Sequence, residues 1–477
     1  MQRVEGVDAG YLYMETPSMH MHTLKIGILA KPPLFDFAYF RSEMMARLQH
    51  MPPLHYRIVP VPLALNHPTW VFDHDIDPDR HIFHHRLPDG SGMEDLEDLV
   101  GEIASTPLDR TIPLWELHVV EGMSDGRIGT VGKIHHTLAD GNAANAMLGN
   151  LTDQETARAS TRPPPRDEPV PSALTQIGVA LWDAAVQMLT LPRLIVTTVT
   201  GVVGLVRHKR ASEVATPRPI LDVPRASFNR ALTPRRSFAT ASVELSDLRR
   251  VRAQHGVTLN DVVLAVVSGA LRLWMGERGE THAGSLVAGV PVGTDADAPP
   301  GAPKRMHGNR VSNLFTTLAT DVEDPVERML QISRVTKESK KVVDTLGPDL
   351  LREWVQFTPP APFSALLNLY SRLRAASRHA PPLNLIVSNV RGPGEVVTIG
   401  GAELSDLFSV GPLLEGIGLN VTAWSYAGRM NFSLLSCPDL VEDLRSLSAQ
   451  VRPALDELLS TCQTTATEPR HAAPNQR

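Results

Sequence analysis

The residues whose types and spacing could perform chemistry lie in the decapeptide KIHHTLADGN at positions 133–142. Two adjacent histidines follow an apolar stretch, and Asp140 comes four residues after His136. An imidazole titrates near neutral pH, so one histidine could take a proton from an alcohol and return it to a leaving group. The second histidine and the carboxylate could brace the turn. The spacing alone leaves a general base and a purely structural role equally open.

Two further stretches resemble known reactive-site motifs in part. The segment GMSDG at 122–126 matches the nucleophile-elbow pattern, but it stands between two strand-like runs, where Ser-Asp-Gly predicts a hairpin turn. The histidines of HIFHH at 81–85 do not have the spacing of zinc ligands. Gly-rich nucleotide-binding motifs are absent from the sequence. We therefore predict neither a serine nucleophile nor a metal site.

The composition sets the broad class. A chain of 477 residues is too long for one ordinary core, so we expect two domains. The formal net charge of −6 gives no indication of nucleic-acid binding. The only cysteines, Cys437 and Cys462, fit a reduced cytosolic setting and exclude a disulfide framework. No apolar signal segment is visible at the N-terminus.

Alternating strand and helix patterns predict an α/β or α+β fold. Residues 24–30 and 115–122 have strand patterns, whereas residues 37–51 and 258–279 have helical ones. A Pro- and Arg-rich stretch at 156–172 indicates a linker. The predicted divisions are an N-terminal domain 1–155, a linker with an apolar helical segment 156–236, a C-terminal domain 237–461 and a disordered tail 462–477.

The apolar segment 173–206 is the most membrane-like part of the chain. Asp183, Pro192 and Arg193 interrupt it, and its uncharged run from Leu194 to Val206 is shorter than the roughly 20 residues of a spanning helix. The basic run RHKR follows at once. The pattern is compatible with a helix pair on a lipid surface and equally with a core helix hairpin.

The sequence around the two histidines resembles that of a known family. HHTLADG fits the HHxxxDG motif of the CoA-dependent acyltransferase superfamily. The blocks TPLDRTIPLWELHVVEG, VTLNDVVLAVVSGALR and LIVSNVRGPGEVVTIGGAEL resemble the bacterial wax ester synthase/diacylglycerol acyltransferase family and occur in its order. The resemblance covers nearly the whole chain outside the linker and the tail. One departure is NVRGP at 389–393, where family members tend to have NVPGP.

The resemblance implies two chloramphenicol-acetyltransferase-like domains with an active-site tunnel between them. It implies transfer of a long-chain acyl group from acyl-CoA to diacylglycerol, giving triacylglycerol, and also to long-chain alcohols, giving wax esters. His136 takes the general-base position, and no acyl-enzyme forms. Acyl-CoA is a substrate, so no cofactor, metal or nucleic acid is expected. The implied location is cytoplasmic, at the inner face of the cell membrane or at lipid droplets.

The same resemblance assigns the residues around the base. His135 and Asp140 form the scaffold of His136. Gly141 permits a sharp chain reversal and is also a candidate for substrate binding. The superfamily pairs the aspartate with an arginine, for which Arg57 in LHYRIV is our prediction.

Two more blocks could contact substrate. Asn260 and Asp261 stand at a predicted helix start, where capping and shaping of the acyl channel are both open. Asn389 and Arg391 lie in the turn-rich SNVRGPG segment, which the resemblance places near the CoA passage, and Arg391 could bind a CoA phosphate. For Pro113-Leu114-Trp115 we favour a strand start and a core tryptophan over substrate contact.

Two other functions remain open. An acyltransferase of this fold could use a carrier-protein thioester, although the chain has no carrier domain. A catalytically silent lipid-binding or lipid-droplet protein is the alternative from another class, against which the intact HHxxxDG motif argues.

Overall fold

Two six-stranded sheets and a small three-stranded sheet organise the chain. The computed structural model describes residues 2–462 except 31–34, 49, 74, 154–168, 219, 222, 281–283, 295–304 and 348. The strands are β1 Gln2–Arg3, β2 His22–Leu29, β3 Tyr56–Val59, β4 Thr69–Phe72, β5 Ile82–Ser91, β6 Trp115–Met123, β7 Ile128–His135, β8 Ser237–Glu244, β9 Val287–Gly293, β10 Val311–Thr317, β11 Leu385–Arg391, β12 Thr398–Ile399, β13 Ala402–Val410, β14 Leu419–Tyr426 and β15 Arg429–Ser436.

The α-helices flank these sheets or cross the surface. They are α1 Gly6–Met14, α2 Phe37–Leu48, α3 Met93–Ala104, α4 Gly141–Leu151, α5 Ala173–Ala211, α6 Leu245–His255, α7 Leu259–Glu277, α8 Pro325–Leu346, α9 Leu350–Val355, α10 Pro360–Arg372, α11 Leu444–Ala449 and α12 Val451–Ser460. The strands predicted at 24–30 and 115–122 and the helices predicted at 37–51 and 258–279 are confirmed within a few residues.

The first large sheet holds the histidine pair at its centre. Its order is β12-β13-β2-β7-β6-β5, with β7 antiparallel to both of its neighbours. His135 is the last residue of β7 and lies opposite His22 of β2. The motif therefore begins where a central strand ends, on a rigid element.

The second large sheet has the order β10-β9-β11-β14-β15-β8, and β11 runs parallel to both β9 and β14. Helix α7 packs against this sheet between α8 and α12, and every residue from Asp261 to Leu271 is buried. Its apolar side chains occur all round the helix, as expected of a helix enclosed on all sides.

A strand from the second half of the chain completes the first sheet. Residues 404–410 of β13 pair antiparallel with residues 24–29 of β2, although they fall inside the predicted C-terminal domain 237–461. The sequence of a strand encodes the alternation of its side chains but not its partner strand, so the pairing of β13 with β2 has no local signal in the sequence.

The apolar segment forms a single helix, α5, which is 39 residues long and contains Pro192. The predictions of a helix pair and of a core hairpin are both wrong, because the helix is continuous and mostly exposed. The missing amide of Pro192 deprives the carbonyl of Met188 of its helical partner, and Met188 is 56% exposed, so water can solvate that carbonyl. Most of the predicted linker 156–172 and tail 462–477 lies outside the described residues.

Candidate active site

A hairpin places the two histidines. Strands β6 and β7 pair antiparallel, and the turn Ser124–Gly126 joins them with Asp125 and Gly126 at positive φ. The hairpin prediction for GMSDG is confirmed. The amide of His135 then donates to the carbonyl of Leu114 at 3.0 Å.

The PLW block has the structural role that the sequence favours. Trp115 is 3% exposed, and its indole Nε1–H donates to the carbonyl of Leu54 at 2.7 Å. Its backbone lies opposite Ile134 of β7, one residue before the histidine pair. The tryptophan fixes the strand that carries the histidines.

His136 is half-buried at the end of β7, with its ring held on one face and one edge. The ring of Tyr11 stacks on it with 4.3 Å between centroids and 15° between planes. Its Nδ1 lies 3.0 Å from Oδ1 of Asn309. Burial lowers the pKa of His136 to about 4, against the opposing effects of its own backbone carbonyl and Asp140. The imidazole is therefore neutral at physiological pH and can accept a proton.

His135 faces the other way, into the protein. It is 1% exposed, and its Nδ1 accepts a hydrogen bond from the amide of Thr137 at 3.1 Å. Its Nε2 points to Glu15, with 3.7 Å between Nε2 and Oε2. Burial lowers the pKa of His135 as well. The two histidines thus have unequal environments, and His135 braces the turn.

Asp140 is a buried structural residue. Its Oδ1 accepts the amide of Ala143 at 2.9 Å and so caps α4, while its Oδ2 accepts the amide of Arg310 at 2.8 Å. Its ion-pair partner is Arg305, with 2.7 Å between Nη2 and Oδ2. The prediction of Arg57 as this partner is wrong. Arg57 lies on β3 in the three-stranded sheet and pairs with Asp73 at 3.2 Å, because the turn 305–310 of the second half of the chain occupies the position beside Asp140.

Gly141 starts α4 and faces strand β11. Its φ is not in the left-handed region, so a sharp reversal is not what requires glycine here. A Cβ at this position would lie 3.2 Å from Cγ2 of Val390, which makes close approach of β11 the physical reason for a small residue. Asn145, one turn further along α4, donates from Nδ2 to the carbonyl of Arg391 at 3.1 Å, and the Arg391 side chain is exposed. The SNVRGPG segment therefore lies against the helix that follows the histidines.

The predicted pair at the start of α7 divides into two roles. Asn260 Oδ1 lies 3.4 Å from Nδ2 of Asn389, so the structure brings the Asn-Asp block and the SNVRGPG segment together. Asp261 forms a capping box with Thr258 and accepts the hydroxyl of Ser333 at 2.8 Å. Capping accounts for Asp261, whereas Asn260 and Asn389 remain candidates for substrate contact.

Sequence reasoning missed four residues near His136. Asp8 and Tyr11 lie on α1, Asn309 precedes β10, and Lys25 lies on β2. Lys25 donates from Nζ to the Ser409 hydroxyl at 2.5 Å, and burial lowers its pKa to about 8. All four are brought to His136 by tertiary contacts, so no spacing in the sequence could have shown them.

The histidines of the HIFHH segment have partners within the protein, and His81 contacts the backbone carbonyl of Trp115 with 2.8 Å between Nδ1 and the oxygen. His84 contacts Glu121 with 2.6 Å between Nε2 and Oε1, and His85 contacts His118 with 2.9 Å between Nε2 and Nδ1. Within the described part of the chain, no three His, Cys, Asp or Glu side chains are grouped to hold a metal ion.

Comparison with known protein families decides where the chain belongs. Residues 4–263 match the model of the wax ester synthase/diacylglycerol acyltransferase catalytic domain, and residues 307–459 match that of the C-terminal domain of the same family. The chain belongs to the wax ester synthase/diacylglycerol acyltransferase family. Its assignment as an acyltransferase, predicted from HHxxxDG and the flanking blocks, is confirmed.

Relatives of this family align over almost the full chain. A Mycobacterium tuberculosis (strain H37Rv) protein, Rv0221, provisionally named a diacylglycerol O-acyltransferase, is 37% identical over 94% of this chain and 94% of its own length. Rv1760 of the same strain, with the same provisional name, is 31% identical over 96% of this chain and 90% of its own length.

Solved structures confirm the fold class. The wax ester synthase/diacylglycerol acyltransferase of Marinobacter aquaeolei VT8 superposes with a TM-score of 0.65 at 23% identity, covering 97% of this chain and 100% of that one. The first condensation domain of the CDA synthetase superposes with a TM-score of 0.55 at 15% identity, over 97% of each chain. The predicted α/β architecture of two related sheet-containing domains is confirmed.

Proposed function

We propose that this family member transfers a long-chain acyl group from acyl-CoA to the hydroxyl of diacylglycerol, giving triacylglycerol, and also to long-chain alcohols, giving wax esters. The observation that carries the proposal is the half-buried His136 of the HHxxxDG motif, held by Tyr11 and Asn309 in a chain of the wax ester synthase/diacylglycerol acyltransferase family. The names of the mycobacterial relatives support diacylglycerol as the acceptor.

His136 acts as general base in the proposed reaction. It removes the hydroxyl proton as the oxygen attacks the thioester carbonyl, and the resulting imidazolium protonates the CoA thiolate when the tetrahedral intermediate collapses. The acyl group moves directly to the alcohol, so the chemistry requires no acyl-enzyme, cofactor or metal. The base contributes about 10²- to 10⁴-fold, and positioning and oxyanion stabilisation supply the rest of the rate enhancement.

The surroundings of α4 and β11 provide the substrate passage in this proposal. Gly141 lets β11 approach the start of α4 closely at Val390, and Asn260 with Asn389 shapes the channel from the second sheet. The exposed Arg391 binds a phosphate of CoA, since a guanidinium suits that geometry.

Helix α5 supports a location on a phospholipid surface, at the cytoplasmic membrane face or a lipid droplet. Helices α5 and α7 are both long and apolar enough to span a membrane, but the most apolar window of α7 is 72% buried, whereas that of α5 is 11% buried. The exposed apolar side chains of α5 include Leu174, Leu181, Trp182, Met188, Leu189, Val196 and Val199. Arg207, Lys209 and Arg210 follow at its exposed end, where they suit anionic lipid.

Contacts along the length of α5 favour a helix that lies flat on the lipid. Asp183 pairs with Arg3 at 2.6 Å, Thr198 accepts Nε1–H of Trp354 at 2.9 Å, and His208 lies 2.6 Å from Glu338. A spanning helix could not keep these partners from its first third to its last turn.

Product analysis with purified protein tests the proposal. Palmitoyl-CoA is supplied with diolein, with hexadecanol or with no acceptor, while CoA release and neutral lipid are followed. We expect CoA release to depend on an acceptor and to equal the amount of palmitoyl-dioleoylglycerol or of hexadecyl palmitate formed, with no acylated protein by intact-mass measurement after acid quench. Turnover only with a carrier-protein thioester would favour the condensation-type alternative, and lipid binding without turnover would favour a silent lipid-binding protein.

A further inference from the structure

The amide of Asn309 links His136 to Asp8. Asn309 is 3% exposed, and its Nδ2 donates to Oδ1 of Asp8 at 2.7 Å and to the backbone carbonyl of His136 at 2.7 Å. Its backbone amide also donates to Oδ1 of Asp8, at 3.0 Å. Because both atoms beside Nδ2 are acceptors, the amide has one satisfactory orientation.

That orientation fixes the position of a proton on His136. Oδ1 of Asn309 faces Nδ1 of His136 at 3.0 Å. A carbonyl oxygen can only accept, so Nδ1 must carry the hydrogen and Nε2 keeps the free electron pair. We infer that Asn309 and Asp8 are positioning residues that hold His136 in the Nδ1–H tautomer, with Nε2 as the basic atom. The inference rests on the proposed role of His136 as base.

Helix α1 holds the same imidazole from two directions. Asp8 acts on its edge through Asn309, and Tyr11, one turn later, stacks on its face. The hydroxyl of Thr137 donates to the backbone carbonyl of Asp8 at 2.7 Å, which fastens α1 to the turn after the histidines. A helix packed in this way limits rotation of the ring about both of its side-chain torsions.

The arrangement also joins the two halves of the chain at the reacting group. The amide of Gly308 donates to the carbonyl of Leu138 at 2.7 Å, and Gly308 bridges Ala139. Asn309 can reach His136 only when this contact between the turn 305–310 and the HHxxxDG segment has formed. The correct tautomer is therefore set by assembly of the complete cleft.

The charged and titratable groups that face His136 come from α1, from β2 and from the HHxxxDG segment itself. Lys25 of β2 and His135 lower its pKa, and Asp140 raises it. Asp8 of α1 lies behind the neutral Asn309 amide. A carboxylate in place of Asn309 would accept from Nδ1 as well and would add negative charge, which favours the imidazolium.

The tautomer can be measured without any activity. Full-length protein labelled with [¹⁵N]histidine shows the two ring nitrogens of His136, assigned by difference from His136→Gln. We expect a protonated Nδ1 in wild type and in Asn309→Asp, and loss of that state in Asn309→Ala. Asp8→Asn keeps an acceptor oxygen and should retain the Nδ1–H tautomer, whereas Asp8→Ala should reduce it.

Kinetics should follow the tautomer. For Asn309→Ala we expect kcat to fall roughly 10- to 100-fold, with KM for palmitoyl-CoA within about twofold of wild type. Asn309→Asp should recover part of kcat and move the acidic limb of its pH profile upward. Asn431→Ala is the matched control, because Asn431 of β15 is fully buried and its amide donates to the carbonyl of Leu407 on β13, away from His136.

A protonated Nδ1 that persists in Asn309→Ala, or a loss of kcat no larger than that of Asn431→Ala, would overturn the inference. Absence of acyl transfer in the wild type would instead overturn the proposed function and leave the tautomer measurement interpretable.

Discussion

Arg305 forms a 2.7 Å ion pair with Asp140, and this contact joins the start of α4 to the segment before β10. Asp140 is 3% exposed and also caps α4, so both of its carboxylate oxygens have partners within the protein. A buried carboxylate that loses its cation is strongly destabilising, because water cannot replace the partner.

We therefore predict that Arg305→Ala lowers the free energy of unfolding by about 3 kcal/mol. Arg57→Ala is the matched control and should cost less than about 1 kcal/mol, since Arg57 and Asp73 are each about one-third exposed. Denaturant titration measures both. Asp140→Asn should lower stability and activity together, and a fully stable but inactive Asp140→Asn protein would show that Asp140 is directly catalytic.

Titration of the buried Asp8 should make the free energy of unfolding depend on pH. Burial raises the pKa of Asp8 to about 7, partly offset by its hydrogen bond from Asn309. The folded protein keeps this proton between about pH 4 and pH 7, where the unfolded chain has released it, so the free energy of unfolding falls as the pH rises through this window.

Asp8→Asn removes the titration and keeps an acceptor for Asn309. We expect the variant to have a higher Tm than wild type at pH 8 but not at pH 4.5. The corresponding gain in the free energy of unfolding at pH 8 should be less than the roughly 4 kcal/mol that three pKa units represent. Parallel pH slopes for the two proteins would show that Asp8 titrates normally.

Gly392 predicts a steric requirement in the SNVRGPG segment. A Cβ there would lie 2.2 Å from Nε1 of Trp424 and 2.4 Å from the carbonyl of Ser425. We expect Gly392→Ala to displace the end of β11 from β14, with a loss of about 1–3 kcal/mol in the free energy of unfolding and a higher KM for palmitoyl-CoA. Gly394→Ala, where nothing lies within 4 Å of the added carbon, should change both quantities little. Equal effects of the two variants would remove the steric argument.

The exposed face of α5 predicts binding to anionic lipid. Replacing Trp182 and Leu189, which are 70% and 81% exposed, by glutamate should weaken sedimentation with phosphatidylglycerol-containing vesicles at least about tenfold. A control protein with glutamate at Tyr39 and Val396 carries the same charge change on exposed apolar positions outside α5. No association of wild type at any lipid composition, or equal weakening in the control, would contradict a lipid-facing α5.

The sequence predicts the parts of this site that are contiguous. His135, His136 and Asp140 lie within six residues of each other, so one strand end and one helix start place them together. Arg305 and Asn309 come from more than 160 residues away, and Arg57 was an equally charged choice nearer in sequence. Which arginine reaches Asp140 depends on how the two halves of the chain pack, and local periodicity has no information about that.

The same limit applies to the fold. The sequence of β13 does not specify its partner, and only the assembled sheets show that it pairs with β2 rather than with the second sheet. The proline in α5 predicts an interruption, whereas the helix continues through it, and Met188, whose carbonyl loses its helical partner, is an exposed residue. The pairing of β13 depends on tertiary context and the continuity of α5 on solvent context, and a local sequence pattern contains neither.

The most direct measurement of the central claim is the rate of CoA release from palmitoyl-CoA in the presence of diolein, for wild type, His136→Ala and His255→Ala. His255 is the matched control, because it is half-buried like His136 and contacts Thr461 in the second half of the chain. We predict that His136→Ala loses about 10²- to 10⁴-fold in kcat while its Tm and fold are retained, and that His255→Ala keeps its activity. Turnover by His136→Ala at the rate of His255→Ala would contradict the assignment of His136 as the base.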